Sequence, residues 1–220
     1  MNLTITLSLL LFTTPVSIGG FSNRKLIDDL IFYPPAITKQ NQWYRFFTCG
    51  LIHADWGHLL FNMLSLYLFG EFVEQSFESP LLFGENGKVY YLALYVSALF
   101  FCLIPTFFQH RTNNRYRSLG ASGAVSAIVF VGILFNPTSK IGFFFIPPVI
   151  PGYVFGPLYL LLSSLMGRQN RDNINHSAHI WGALYGLAFT LVLAFLLQTE
   201  YQPAQEFFYK VRAHLNSIGI

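Results

Sequence analysis

Charge is scarce in this chain: Lys, Arg, Asp and Glu make up 10% of its 220 residues, where a typical soluble domain carries about 25%. Long uncharged stretches recur along the whole length, and 53% of the residues are hydrophobic. That excludes a soluble globule and points to a polytopic membrane protein. Basic residues form no stripe either. The formal charge is only +3 and the positive groups are scattered through connections, which argues against a nucleic-acid partner. Cysteine is nearly absent, and Cys49 and Cys102 make no metal-ligand spacing, so both read as structural. Internal repeats and low-complexity tracts are missing. No Lys or Arg precedes the first apolar stretch, at 2–20, whereas a secretory signal needs a positive leading region. The stretch reads as a first transmembrane helix, with a cleaved signal ending near Gly19-Gly20 as the alternative.

What is present is room for about six spans of ~20 residues in one domain over 1–220. The expected helices cover 2–20, 57–72, 89–108, 122–135, 141–165 and 178–197. Residues 21–56 mix charges with aromatics and suit a structure in the membrane interface, broken by Pro34-Pro35. The fourth helix is short. At ~1.5 Å per residue it reaches only part of the ~30 Å hydrocarbon core, which places its head below the bilayer surface, within the protein. The fifth stretch holds Pro147, Pro148, Pro151 and Pro157, so a kinked or partly unwound helix is expected there, and an element able to move. A surface helix over 205–215 closes the chain.

Polar residues that a membrane would penalise fall in three places. Gly120-Ala121-Ser122-Gly123-Ala124 opens the fourth helix with one hydroxyl in its first turn. First-turn backbone N–H groups lack intrahelical partners, so a nucleophile and an anion site would coincide at Ser122. Taken alone, Ser122 reads as a helix cap and the glycines as close-packing residues. His58 and Asn62, four residues apart, share a helical face at the head of the second span, with His53 just before it. They are neutral donors suited to an oxyanion, or structural interhelical links. In the sixth span Ala178, Gly182 and Gly186 form a small-residue face with His179 beside it. Packing that face on the small residues around Ser122 would put His179 within reach of the hydroxyl, as a general base touching its nucleophile. His176 is the weaker candidate. No Asp or Glu lies inside the last four spans to orient His179, so a Ser–His dyad is expected.

Together these motifs resemble the rhomboid family of intramembrane serine proteases, across nearly the whole chain. They are Gly120-Ala-Ser122-Gly123, His179 with Gly182 and Gly186, and His53, His58 and Asn62. Tyr44-Arg45 stands in the place of the family's Trp-Arg pair, and Glu74 matches a glutamate that follows the second helix. The resemblance implies an all-α, six-helix bundle with a short central fourth helix. In it Ser122 would be the nucleophile and His179 the base. His58, Asn62 and the Ser122 N–H would hold the oxyanion, supported by His53, Gly120, Gly123 and Gly182. It also implies single-span membrane proteins as substrates, the lipid bilayer as environment, the cell membrane as location, a gate at the fifth helix, and no metal or organic cofactor.

Two departures stand out. Many members of that family carry a tyrosine one turn after the serine, stacked on the catalytic histidine. Here that position is Ser126. The family's orientation also puts nine Lys and Arg outside and four inside, against the positive-inside rule; the long interfacial connection holds four of the nine, and the family's orientation is kept. The rival functions are a non-catalytic relative that binds membrane helices, and a metal site built from His53, His58 and His179. The latter has no acidic fourth ligand, and its His-x4-His spacing is not that of the zinc helix motif.

Overall fold

The computed structural model describes residues 3–143, 146–169 and 174–219. Its helices are α1 (Ile5–Ser22), α2 (Arg24–Leu30), α3 (Pro34–Gln40), α4 (Arg45–Thr48), α5 (Trp56–Phe77), α6 (Gly87–Phe101), α7 (Ile104–His110), α8 (Ser122–Phe135), α9 (Gly152–Gln169), α10 (His176–Leu196) and α11 (Pro203–Ser217). One hairpin, β1 (Lys140–Phe143) and β2 (Ile146–Pro151), joins α8 to α9. The fold is an all-α polytopic membrane bundle. Three helical stretches among the described residues are long and apolar enough to cross a membrane: Ile5–Ser22, Gly84–His110 and His176–Leu196.

Helix α8 sits at the centre. It packs against α5, α6, α9, α10 and α11, and its residues from Gly123 onward are nearly all buried. Fourteen residues make it only about 21 Å long. Its face toward α10 is built for backbone contact: a Cβ at Gly186 would lie 2.5 Å from the Ala127 carbonyl oxygen, and one at Gly182 would overlap the Gly123 carbonyl oxygen. No larger residue fits at either place without moving a helix.

Helix ends are satisfied by side chains, two of them from afar and two from local caps. Buried Glu74 of α5 accepts from the Ile5 and Thr6 N–H groups and from the Thr6 hydroxyl, each at 2.8 Å, so a carboxylate closes the positive end of α1. Glu74 thus lies inside α5 rather than after it, because the apolar pattern carries the helix on to Phe77. Asp55 caps α5 through the His58 N–H at 2.8 Å, and Asn175 caps α10 through the Ala178 N–H at 3.1 Å. At the other end of α8, the Lys210 ammonium donates to the Phe135 carbonyl at 2.8 Å.

Two expected helices are corrected. The third span is interrupted at Cys102-Leu103 and restarts at Ile104, with Pro105 in the first turn of α7. A proline has no N–H to give the preceding turn, so the first helix ends before it. In the fifth expected helix, the described residues of 141–151 are extended instead of helical. Lys140 pairs with Pro151, Ile141 with Ile150 and Phe143 with Ile146 in an antiparallel ladder. Prolines hold their predecessors extended, and the Ile and Val between them favour the same conformation. Helix α9 then begins at Gly152, whose N–H bonds the Ser139 carbonyl at 3.0 Å, and contains only Pro157. Of the polar loop expected over 168–175, residues 170–173 lie outside the described residues, and Arg168 and Gln169 belong to α9. The 205–215 helix is longer than expected, as α11.

Candidate active site

The site begins with the backbone just ahead of α8, which the interfacial connection holds at three points. Phe32 and Ser118 exchange both backbone hydrogen bonds, at 3.0 and 3.1 Å; Gly120 N–H donates to the Cys49 carbonyl at 2.9 Å; Ala121 N–H donates to His53 Nε2 at 3.4 Å. The connection is itself anchored by buried Arg45, which donates to the Gln42 side chain and to the Asp28 and Ile31 carbonyls. Arg45 therefore acts through the backbone of the connection, while Tyr44 beside it is exposed.

Gly120 has φ of +109°, a conformation that disfavours any side chain. A Cβ there would also meet the His58 ring, 2.6 Å from Cε1 and 2.8 Å from Nε2. His58 therefore lies directly against the turn into Ser122. Its Nδ1 accepts from the Ala54 N–H at 3.4 Å, which leaves the proton of a neutral ring on Nε2, the nitrogen facing Gly120. Asn62 is buried and donates to the His58 carbonyl at 2.9 Å. No hydrogen bond joins it to Ser122 among the described residues.

Ser122 is the first residue of α8. The cap residue, Ala121, has no side-chain group to bond the first-turn amides, so these donors stay available to an anion. His179 of α10 brings Nε2 to 2.7 Å from Ser122 Oγ. The close approach of α10 makes this possible, since Gly182 and Gly186 remove the side chains that would hold the helices apart. Gly123 contributes from α8: its Cβ would stand 3.2 Å from the Ala178 carbonyl oxygen and strike the Cys102 thiol at 2.5 Å. An imidazole nitrogen in that position can take the hydroxyl proton, and the neighbouring donors can stabilise negative charge on an oxygen.

His53 lies in the connection before α5, and both its nitrogens are used: Nδ1 is 3.1 Å from Ser17 Oγ, and Nε2 accepts from Ala121. The acceptor role of Nε2 fixes the proton on Nδ1, donated to Ser17. Burial, with the nearby His58 second, pushes the pKa of His53 down to about 3, so the ring is neutral at pH 7. His176 is buried, with its ring edge-on to that of His179, centroids 6.0 Å apart. Among the described residues no three His, Cys, Asp or Glu side chains converge as metal ligands would.

One contact had no counterpart in the sequence reading. Tyr159 of α9 stacks on the His179 ring, centroids 6.3 Å apart and planes at 22°, and its hydroxyl lies 3.1 Å from Ser126 Oγ. A tyrosine in a proline-interrupted apolar stretch gives no signal of its partner, because the pairing is wholly tertiary.

This helical bundle, with a serine at the head of its central helix and a histidine brought to it from α10, belongs to the rhomboid family: the model of the Rhomboid domain matches residues 40–195. Among its relatives, "RHOMBOID-like protein 12, mitochondrial" of Arabidopsis thaliana is 31% identical over 154 residues, covering 66% of this chain and 45% of that protein. "Putative rhomboid protease YdcA" of Bacillus subtilis (strain 168) is 29% identical over 157 residues, 70% of this chain and 67% of its own. A derlin-like protein of Schizosaccharomyces pombe is 28% identical over 137 residues, 57% of this chain and 55% of its own. The chain thus spans about half the length of the plant relative, 45%.

Proposed function

We propose that the protein is an intramembrane serine endopeptidase that cuts single-span membrane proteins within or beside their transmembrane segment. The observation that carries this reading is the 2.7 Å approach of His179 Nε2 to Ser122 Oγ. In the proposed reaction Ser122 Oγ attacks the scissile carbonyl carbon while its proton passes to His179 Nε2. The oxyanion is held by the Ser122 N–H, the His58 Nε2–H and the free N–H of the Asn62 amide. His179 then gives its proton to the leaving amine, and an acyl-serine remains. Water attacks that ester, His179 takes the water's proton and returns it to Ser122, and the second fragment leaves as a carboxylic acid.

Support for the other roles is geometric. His53 positions Ala121, Gly120 makes room for His58, and Gly123 and Gly182 let α10 close on α8. A bundle rich in apolar surface fits substrates that arrive through the bilayer. The cell-membrane location expected from the resemblance finds no support: relatives of the chain are named as mitochondrial and as chloroplastic. The derlin-like relative favours a second reading, in which the bundle binds membrane helices without cutting them. Cleavage of a model single-span substrate by wild type beside Ser122→Ala separates the two: loss of cleavage in the variant supports the protease, and binding without cleavage by both supports the second reading.

A further inference from the structure

Ser126 stands one turn after Ser122 on α8, too short to cover the His179 ring. Its hydroxyl instead meets Tyr159 Oη at 3.1 Å, and the Tyr159 ring lies over His179 with planes inclined by 22°. Two neighbours steady the tyrosine. Phe130 of α8 and Phe155 of α9 each place a ring centroid 5.8 Å from its own, within the range of favourable aromatic pairs. Ser126 is buried, so its bond to Tyr159 is little exposed to competing water. The His176 ring also stands edge-on to His179. The imidazole thus meets a near-parallel ring from α9 and an edge-on ring from α10.

Building on the protease reading, we propose that Tyr159 is the positioning residue for His179, supplying from α9 the aromatic face that α8 lacks. The consequence is a link between helices. A tyrosine on α8 would travel with Ser122, but Tyr159 travels with α9. Orientation of the base therefore depends on α9 lying against α8 through the Ser126 and Phe130 contacts, and a displaced α9 lowers the reactivity of Ser122 even with the substrate absent.

The test uses the full chain purified in detergent, with Tyr159→Phe, Tyr159→Leu, and Tyr159→Leu combined with Ser126→Tyr. The readouts are the rate of Ser122 labelling by a fluorophosphonate and the kcat and KM for a cleaved substrate. Tyr159→Leu is expected to slow labelling and kcat by about tenfold or more with KM little changed, as misplacing a base does. Tyr159→Phe stays within about threefold, because the ring remains. Ser126→Tyr in the leucine background recovers rate by putting a ring back from α8. A folded Tyr159→Leu protein that labels at the wild-type rate overturns the proposal, as does a phenylalanine variant as slow as the leucine one. Should the leucine variant not fold, NMR of the wild type decides: rings this close give a nuclear Overhauser contact between the Tyr159 and His179 ring protons, and its absence overturns the proposal. A wild type that neither labels nor cleaves counts against the protease reading, while the Overhauser contact still decides the ring pairing.

Discussion

Gly182 of α10 faces the Gly123 carbonyl of α8 with no space for a Cβ between them. The contact is backbone against backbone, so neither side can yield by changing a rotamer. It fixes the separation of the two helices that carry Ser122 and His179.

Gly182→Ala is therefore expected to push α10 outward. Overpacking of this kind costs about 1–3 kcal/mol, and a shift near 1 Å at a catalytic pair costs about 100-fold in rate. Labelling of Ser122 and thermal unfolding of the same protein check both effects: the rate should fall by more than the stability loss explains, and an alanine variant with wild-type reactivity would refute the packing role.

His58→Ala and Asn62→Ala are expected to lower kcat by roughly 10–1000-fold each, the range for loss of an oxyanion donor. His58 presents its ring at Gly120, whereas Asn62 is tied to the His58 carbonyl. The His58 variant should lose more, because its ring lies against the turn into Ser122, whereas one Asn62 N–H is already used by the His58 backbone carbonyl. Steady-state kinetics on one substrate checks the order.

His53 makes stability depend on acid. Its folded pKa is about 3, against an ordinary 6.5, so between those values the unfolded chain binds a proton that the folded protein does not. Stability is then full above about pH 6.5 and falls by about 1.4 kcal/mol per unit as pH drops toward 3. Chemical unfolding in detergent across pH 4–7 should show that slope in wild type and a shallower one in His53→Gln. Equal slopes would contradict the assignment of a buried neutral ring.

Glu74→Ala removes the acceptor of two backbone amides and a hydroxyl at the head of α1. Leaving such buried donors unpaired costs about 1–3 kcal/mol each, so a marked drop in melting temperature is expected. Rates per folded molecule should change little, since Glu74 lies on α5 about 18 Å of helix beyond Asn62.

Much of this architecture is legible in the sequence, and the exceptions have particular causes. The bounds of α8 are legible because an abrupt change from Arg117-Ser118-Leu119 to small and apolar residues marks its start, and Asn136-Pro137 its end. The small residues at Ala178, Gly182 and Gly186 pointed to the α8–α10 contact, because spacing of four puts them on one face. The hairpin was not legible: Ile, Val and Pro suit an apolar span and an extended strand equally, and only the pairing of β1 with β2 decides. Tyr159 is not legible for the same kind of reason. Its role comes from Ser126 and His179, 33 and 20 residues away, and no periodic pattern connects them. Glu74 was placed outside a helix because a charge ordinarily ends an apolar run, whereas here the carboxylate is compensated by the N–H groups of α1.

The most direct measurement is cleavage of a model single-span substrate by the purified protein in detergent, with wild type, Ser122→Ala and His179→Ala side by side. A protease built on the 2.7 Å Ser122–His179 contact cuts only as wild type. Cleavage that persists in folded Ser122→Ala protein would contradict the assignment of the nucleophile.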